Sequence, residues 1–124
     1  MNKKDLFILA KEAMKNSYAP YSEYNVGAVL LCKNGNVYKG CNIENASFGL
    51  TNCAERTAIF KAVSSGVRDF EMIGIYGETD EPISPCGACR QVMAEFCDLK
   101  SFKVIIAKDY DDYRKRVYGF LTER

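Results

Sequence analysis

Apolar residues recur along the chain first with a helical period and then in short runs typical of buried strands. The first helical face consists of Leu6, Leu9, Ala10, Ala13 and Met14. Such spacing indicates an amphipathic helix, which must end before Pro20. The full pattern predicts, in order, this helix, strands at 26–32 and 37–41, a helix over 53–65, a strand at 72–77, a helix from Pro85 to about Phe96, and a strand at 104–107.

The connections between these elements indicate the fold class. An Asn-Gly pair at 34–35 separates the first two strands and predicts a hairpin. Two later strand-helix-strand crossovers imply a mixed sheet, parallel in its later half and covered by helices on both faces. Beyond Asp109 the pattern is weak and predicts only a short closing helix near the end of the chain. No linker or repeat interrupts the chain, so residues 1–124 are expected to form one α/β domain.

Charge and hydropathy exclude several classes of partner. The formal net charge is +1, and lysines and arginines are scattered instead of clustered, which argues against nucleic-acid or membrane-surface binding. A small, nearly uncharged substrate fits this balance better. The apolar run at 6–10 is too short for a signal peptide, and no run reaches membrane-spanning length. We therefore expect a cytoplasmic protein whose thiols stay reduced.

Six cysteines and no histidine limit the chemistry available to the chain. In a reducing compartment, six cysteines favour metal binding or catalysis over a disulfide framework. The absence of histidine removes the common catalytic triads and every histidine-containing metal site. Proton transfer near pH 7 must then use a carboxylate, a thiol or a water bound to a metal.

Three cysteines have the spacing of a zinc site. Cys86-x-x-Cys89 follows a proline at the start of a predicted helix, and Cys53 begins another. Three thiolates leave the fourth zinc position open for water, as in catalytic sites. Two other interpretations remain: a structural zinc knuckle, with its fourth ligand from Cys32, Cys41 or Cys97, or a thioredoxin-like redox pair.

Glu55, two residues after Cys53, favours the catalytic interpretation. In the first helical turn it can reach a water on the metal without binding the metal itself. The alternative is a carboxylate that only stabilises a helix start. Zinc-dependent nucleobase deaminases combine such a glutamate with Pro-Cys-x-x-Cys, and both motifs occur here.

The sequence closely resembles the small homotetrameric cytidine deaminases from the first helix to about residue 107. Besides the zinc motifs, the resemblance rests on Tyr21-Ser22-x-Tyr24-x-Val26-Gly27-Ala28, Asn42-Ile43-Glu44-Asn45-Ala46-Ser47, Cys53-Ala54-Glu55-Arg56-Thr57-Ala58 and Cys89-Arg90-Gln91-Val92. It implies a three-layer α/β/α fold with a mixed five-stranded sheet and one Zn²⁺ per chain. It also implies hydrolysis of cytidine or deoxycytidine to uridine or deoxyuridine in pyrimidine salvage.

The resemblance also assigns roles around the metal and the base. It makes Cys53, Cys86 and Cys89 the zinc ligands and Glu55 the group that moves protons. The backbone amide of Ala54 and the carbonyl of Ser84 would hold the base. Arg56 would withdraw charge from the thiolates, although a surface ion pair is the alternative for this residue.

The sugar side of the pocket is assigned in the same way. Asn42 and Glu44 would bind ribose hydroxyls, although loop capping is the alternative. Tyr24 would line the pocket, with core packing as its alternative. Ala46 and Phe48 would lie on a loop that enters a neighbouring subunit's site.

Two departures from the family pattern concern these contacts between subunits. Phe48 replaces a usual tyrosine, and the tail at 120–124 lacks the usual proline and terminal aromatic residue. The rival functions are deamination of another cytosine nucleoside, such as blasticidin S, and a non-catalytic zinc protein.

Overall fold

A computed structural model describes residues 3–77, 87–97, 101–107 and 113–117 of the chain. Its elements, in chain order, are α1 (Lys3–Met14), β1 (Val26–Cys32), β2 (Val37–Cys41), a 3₁₀ turn (Phe48–Leu50), α2 (Ala54–Ser64), β3 (Phe70–Gly77), α3 (Gly87–Phe96), β4 (Lys103–Ala107) and β5 (Tyr113–Val117).

The sheet has the strand order β2-β1-β3-β4-β5. Strand β1 lies inside the sheet and is buried along its whole length, as its unbroken apolar run predicts. The β1–β2 hairpin is confirmed, and Gly35 at its turn has a φ of 90°, a left-handed conformation that glycine adopts without strain. The mixed α/β architecture expected from the sequence is therefore confirmed.

The parallel pairing expected in the later half of the sheet is confirmed for β3 and β4 but does not extend to β5. Of the other strand pairs described, β1–β2, β1–β3 and β4–β5 are all antiparallel. The crossover through α2 does not bring β3 beside β2. It brings β3 to the free edge of β1, because β2 already occupies the opposite edge of that strand.

The closing helix expected near the end of the chain does not extend over 113–117, where the sequence pattern predicted no strand. These residues form β5, which pairs with β4 along its full length. Their sequence, Tyr-Arg-Lys-Arg-Val, has no apolar alternation, so only the pairing with a neighbouring strand reveals it. The tail at 118–124 lies outside the described residues.

Helices cover both faces of the sheet. Successive side chains of a strand point to opposite faces, so Val29 and Leu31 meet α1 while Ala28 and Leu30 meet α2 and α3. The α1 face of the core consists of Leu6, Phe7, Ala10, Met14, Val29, Leu31, Tyr76 and Ile105. Of the helices in the described ranges, none has the length and apolar character needed to cross a membrane.

Close contact between α2 and the sheet edge fixes the start of that helix. A Cβ atom on Gly40 of β2 would overlap the Ala54 carbonyl oxygen and lie 2.5 Å from the Ala58 nitrogen. Only glycine therefore allows the first turn of α2 to lie this close to β2. That turn carries Cys53 at its N-cap and Glu55.

Gly40→Ala should push the first turn of α2 away from the sheet. We expect a loss of about 1–3 kcal/mol in the free energy of unfolding, the usual cost of overpacking. Urea unfolding measures it. Gly49→Ala is the control, because a Cβ there meets nothing within 4 Å; equal stability of the two variants would contradict the close-contact argument.

Candidate active site

A cavity of about 280 Å³ opens beside the N-terminus of α2. It lies where that helix meets the start of β1 and the segment after β2. Its described lining consists of Ser22, Tyr24, Val26, Asn42, Glu44, Thr51, Cys53, Ala54 and Glu55. The fold thus brings five of the residues expected to bind substrate or metal, together with the expected acid-base residue, to one cavity.

Cys53 and Cys89 lie on either side of Glu55. Cys53 is the N-cap residue of α2, but its side chain makes no capping hydrogen bond to the helix. Cys89 is fully buried in the first turn of α3, and its thiol donates a hydrogen bond to the Glu55 carboxylate. The third expected ligand, Cys86, lies outside the described residues. Within the described ranges, no three histidine, cysteine, aspartate or glutamate side chains form a group able to hold a metal.

Glu55 is buried, with 5% of its surface exposed. Burial raises the pKa of its carboxyl group to about 7, and the negative charge of Cys53 acts in the same direction. Hydrogen bonds from its own backbone N–H and from Cys89, together with the Arg56 charge, act in the opposite direction. A carboxyl group with this pKa can hold or release a proton near pH 7.

Arg56 lies behind the two cysteines instead of pairing with a surface carboxylate. Its Nη2 atom lies 3.3 Å from the Cys53 sulfur and 3.3 Å from the Thr51 carbonyl oxygen. Burial alone would lower the pKa of the guanidinium, but hydrogen bonds and charge from Cys53 and Cys89 raise it above its usual value. The surface-pair alternative therefore does not describe its contacts. Its buried Nε atom has no hydrogen-bond partner within the described part of the chain.

Asn42 is held rigidly at the back of the cavity. Its Oδ1 accepts the Val26 N–H at 2.9 Å, and its Nδ2 donates to the Tyr24 carbonyl at 2.7 Å. These bonds tie the end of β2 to the entry of β1. Asn42 thus performs the capping role considered as an alternative. Its amide oxygen and its amide nitrogen each keep the capacity for one more hydrogen bond.

Glu44 is anchored by the loop before β1. Its Oε1 atom accepts the N–H groups of Tyr21 and Ser22 at 3.0 and 3.1 Å, and its Oε2 atom accepts the Ser22 hydroxyl. The Ser22 hydroxyl is the largest cause that holds the pKa of this carboxyl group below its usual value, while burial acts against it. The carboxylate is therefore ionised and can accept hydrogen bonds at neutral pH.

The structure describes the other expected site residues only in part. Tyr24 is partly buried, lines the cavity and packs against the core, so both interpretations of this residue hold. Ala54 is buried and lines the cavity. Ala46 is exposed and is not part of the described lining. Ser84 and the Phe48 side chain lie outside what the structure describes.

The remaining cysteines do not complete the site. Cys32 and Cys97 are buried in the core between the sheet and α2 and α3. Burial raises the pKa of Cys97 to about 12, which suits a packing thiol and not a metal ligand. Cys41 lines a separate cavity with Lys39 and Lys61.

The donor set fits a zinc ion. Thiolates are ligands that Zn²⁺ binds well, and the guanidinium of Arg56 beside two sulfurs stabilises their deprotonated form. Cys53 at the N-cap of α2 gains further stabilisation from the positive end of the helix dipole. Cys53 and Cys89 would hold the ion from two different helices.

Three cavity residues were missed by sequence reasoning about the site: Ser22, Val26 and Thr51. Ser22 and Val26 belong to a motif on which the family resemblance rests, but the resemblance assigned no role to either residue. Thr51 carries no such signal, because its place depends on how the segment before α2 folds.

Comparison with known proteins supports this geometry. The family model for the cytidine and deoxycytidylate deaminase zinc-binding region matches residues 1–106. The cytidine deaminase of Sporosarcina psychrophila is 54% identical over 98 residues, 79% of this chain and 72% of that protein. That of Halalkalibacterium halodurans is 57% identical over 97 residues, 78% and 74% of the two chains. The crystal structure of cytidine deaminase from Burkholderia pseudomallei superposes with a TM-score of 0.92 at 47% identity, covering 98% of this chain and 96% of the other.

Cys53→Ala or Cys89→Ala should lose most of the bound zinc, because a three-thiolate site has no ligand in reserve. Metal analysis of protein purified without chelator measures the zinc content. Cys32→Ala removes a buried thiol that is not part of the described cavity lining and should keep the zinc of the unaltered protein. Retention of full zinc by the Cys53 and Cys89 variants would show that these thiols are not ligands.

Proposed function

The chain belongs to the cytidine and deoxycytidylate deaminase family, and we propose that it deaminates cytidine or deoxycytidine at the cavity beside α2. The reaction consumes water and yields uridine or deoxyuridine and ammonia, a step of pyrimidine salvage. The single observation that carries the proposal is the buried Glu55 in the lining of that cavity, with the Cys53 and Cys89 side chains close to it.

The charge of the cavity supports a nucleoside over a nucleotide. Its described lining includes the carboxylates Glu44 and Glu55 but no lysine or arginine side chain. A phosphate group entering the cavity would meet these carboxylates without a compensating cation. Among the substrates of the family, the lining therefore favours the uncharged nucleoside over deoxycytidylate.

Zinc, when bound, lowers the pKa of a water molecule to about 7 and so supplies a nucleophile at neutral pH. Glu55 accepts the proton of the attacking water and delivers it to N3 of the base, which makes C4 more electrophilic. Glu55 then carries a second proton to the departing amino group. Each transfer returns the carboxylate to its starting state, so one residue acts as base and as acid.

Backbone and side-chain groups orient the nucleoside for these transfers. By family resemblance, the backbone amide of Ala54 and the carbonyl of Ser84 would hold the base edge, and Tyr24 lines one wall of the cavity. Asn42 and Glu44 bind the sugar hydroxyls with their remaining hydrogen-bonding capacity. Their fixed side chains lose little conformational entropy when the substrate binds.

Arg56 offsets the charge of the metal centre. Three thiolates would leave a net negative charge around a bound Zn²⁺ and would weaken it as a Lewis acid. The Arg56 guanidinium, 3.3 Å from the Cys53 sulfur, withdraws part of that charge. The N-terminus of α2 acts in the same sense.

Glu55→Gln should keep zinc and fold but lose nearly all deamination, because an amide cannot shuttle protons. General acid-base groups contribute about 10²–10⁴-fold, and Glu55 acts in more than one transfer, so the loss should be at or above that range. The loss of cytidine ultraviolet absorbance and the release of ammonia measure turnover. Glu71→Gln on β3, an exposed carboxylate, should keep normal turnover.

The same assay tests the substrate class. We expect cytidine and deoxycytidine to be deaminated faster than cytidine monophosphate or blasticidin S. Preference for blasticidin S would assign the chain to the rival deaminase, and bound zinc without deamination of any cytosine compound would indicate a structural zinc protein.

The assembly is proposed to be a homotetramer with shared sites. Near the cavity, Tyr18 and Ile43 pair through an isolated β-bridge, and the side chains of both residues are exposed. Leu50 is 71% exposed. Contiguous exposed apolar residues are typical of an interface between subunits. The loop with Ala46 and Phe48 lies between Ile43 and Leu50 in the chain and would complete a neighbour's site.

Three broader features of the chain belong to the same proposal. We infer one domain over residues 1–124 with the family's three-layer, five-stranded α/β/α fold. No disulfide joins the five described cysteines to one another, and we infer a reducing, cytoplasmic location. The nucleoside, and neither nucleic acid nor membrane, is the proposed ligand.

Phe48→Ala should raise KM severalfold if its ring enters a neighbouring subunit's pocket. Steady-state kinetics measure the change, and light scattering of the unaltered protein should give the mass of four chains. A fully active monomer, or unchanged kinetics in the variant, would contradict the shared site.

A further inference from the structure

Ser22 is the centre of a small hydrogen-bond network at the sugar side of the cavity. Its hydroxyl donates to Glu44 Oε2 and accepts the Tyr24 N–H at 3.0 Å. Its backbone N–H donates to Glu44 Oε1 at 3.1 Å. One residue therefore holds both the carboxylate expected to bind the sugar and the backbone of the aromatic residue that lines the wall.

The local backbone conformation is what allows this double contact. Glu23, between Ser22 and Tyr24, has a φ of 59°, a left-handed conformation that residues other than glycine rarely adopt. Its N–H is bonded to the Ala19 carbonyl at 2.9 Å, which holds the turn closed. Strained residues of this kind concentrate at functional sites, where the surrounding contacts keep them in place.

A count of acceptor sites shows what remains for a ligand. A carboxylate has about four acceptor positions. The Tyr21 and Ser22 N–H groups occupy two on Oε1 of Glu44, and the Ser22 hydroxyl occupies one on Oε2. Within the described part of the chain, one position remains on Oε2, the oxygen whose orientation the Ser22 hydroxyl fixes.

We propose that Ser22 is a positioning residue for sugar recognition, because its hydroxyl aims the remaining acceptor of Glu44 Oε2 at a hydroxyl of the nucleoside sugar. This inference rests on the proposed function and assigns Ser22 to one part of it. Ser22 acts through Glu44 and does not move protons. Its removal should therefore weaken substrate binding and leave the chemical step nearly unchanged.

The test compares Ser22→Ala with the unaltered zinc enzyme on cytidine and on 2′,3′-dideoxycytidine, which lacks both ring hydroxyls. We expect the cytidine KM to rise severalfold, up to about tenfold for one lost hydrogen bond, with kcat within about twofold. The KM for dideoxycytidine should change by less than about twofold. Ser22→Thr keeps the hydroxyl and should restore most of the cytidine affinity.

Ser17→Ala is the matched control. Ser17 lies in the same stretch of chain before β1 and donates a hydrogen bond of 2.6 Å to Asn25 Oδ1, but it is not part of the described cavity lining. The same chemical change there should leave KM for both substrates unaltered. Ser22 is exposed, so alanine leaves no cavity in the core. Should Ser22→Ala nevertheless prove too unstable to assay, Ser22→Cys, with its weaker donor, must give an intermediate cytidine KM.

A double-mutant cycle separates positioning from a general effect on the loop. If Ser22 acts through Glu44, the KM increases of Ser22→Ala and Glu44→Gln should not multiply in the double variant. Fully multiplicative effects, an unchanged cytidine KM, or equal increases for both substrates would each overturn the inference. An unaltered enzyme that does not deaminate cytidine would overturn the proposed function instead, so the two failures are distinguishable.

Discussion

Burial of the Glu55 carboxyl group is the constraint on which the rest of the site depends. An ionisable side chain with 5% of its surface exposed costs free energy unless its surroundings compensate. Part of that compensation comes from three neighbours: the Glu55 backbone at the start of α2, the Cys89 side chain and the Arg56 guanidinium. The same burial that would destabilise an isolated carboxylate brings its pKa close to the pH at which it must exchange protons.

The sheet supplies the rigidity that this burial requires. Gly40 lets the first turn of α2 lie directly on β2. One turn further along the helix, the Thr57 hydroxyl donates a hydrogen bond of 3.0 Å to the Cys41 carbonyl oxygen. The Thr57 hydroxyl also accepts a hydrogen bond from the Asn52 amide at 2.9 Å, which ties the segment before α2 to the helix. Cys53 lies between these anchors, and its own carbonyl accepts the Thr57 N–H at 3.0 Å. As the proposed metal ligand, it would need little rearrangement to bind an ion.

The side of the cavity that is proposed to bind the sugar is ordered in a different way. Asn42 and Glu44 are polar side chains whose hydrogen bonds run mainly to the backbone of the chain that enters β1. The sugar-binding role proposed for these residues is compatible with their structural role, because the bonds that order the loop also orient the groups left for a ligand. The cost of ordering them is met during folding, before a substrate arrives.

The sequence by itself determined the local parts of this protein. Apolar periodicity located the helices and the four apolar strands to within a few residues, and the spacing of Cys53, Glu55 and Cys89 indicated the chemistry. These features depend on neighbours in the chain, so a sequence pattern contains them. Tertiary structure alone decided the strand order and placed β5, whose charged sequence has no periodicity and which forms only because β4 offers a free edge. It also decided that Arg56 faces the cysteines and that Ser22 holds Glu44. Those contacts join residues from separate segments, and their geometry exists only once the chain has folded around the sheet.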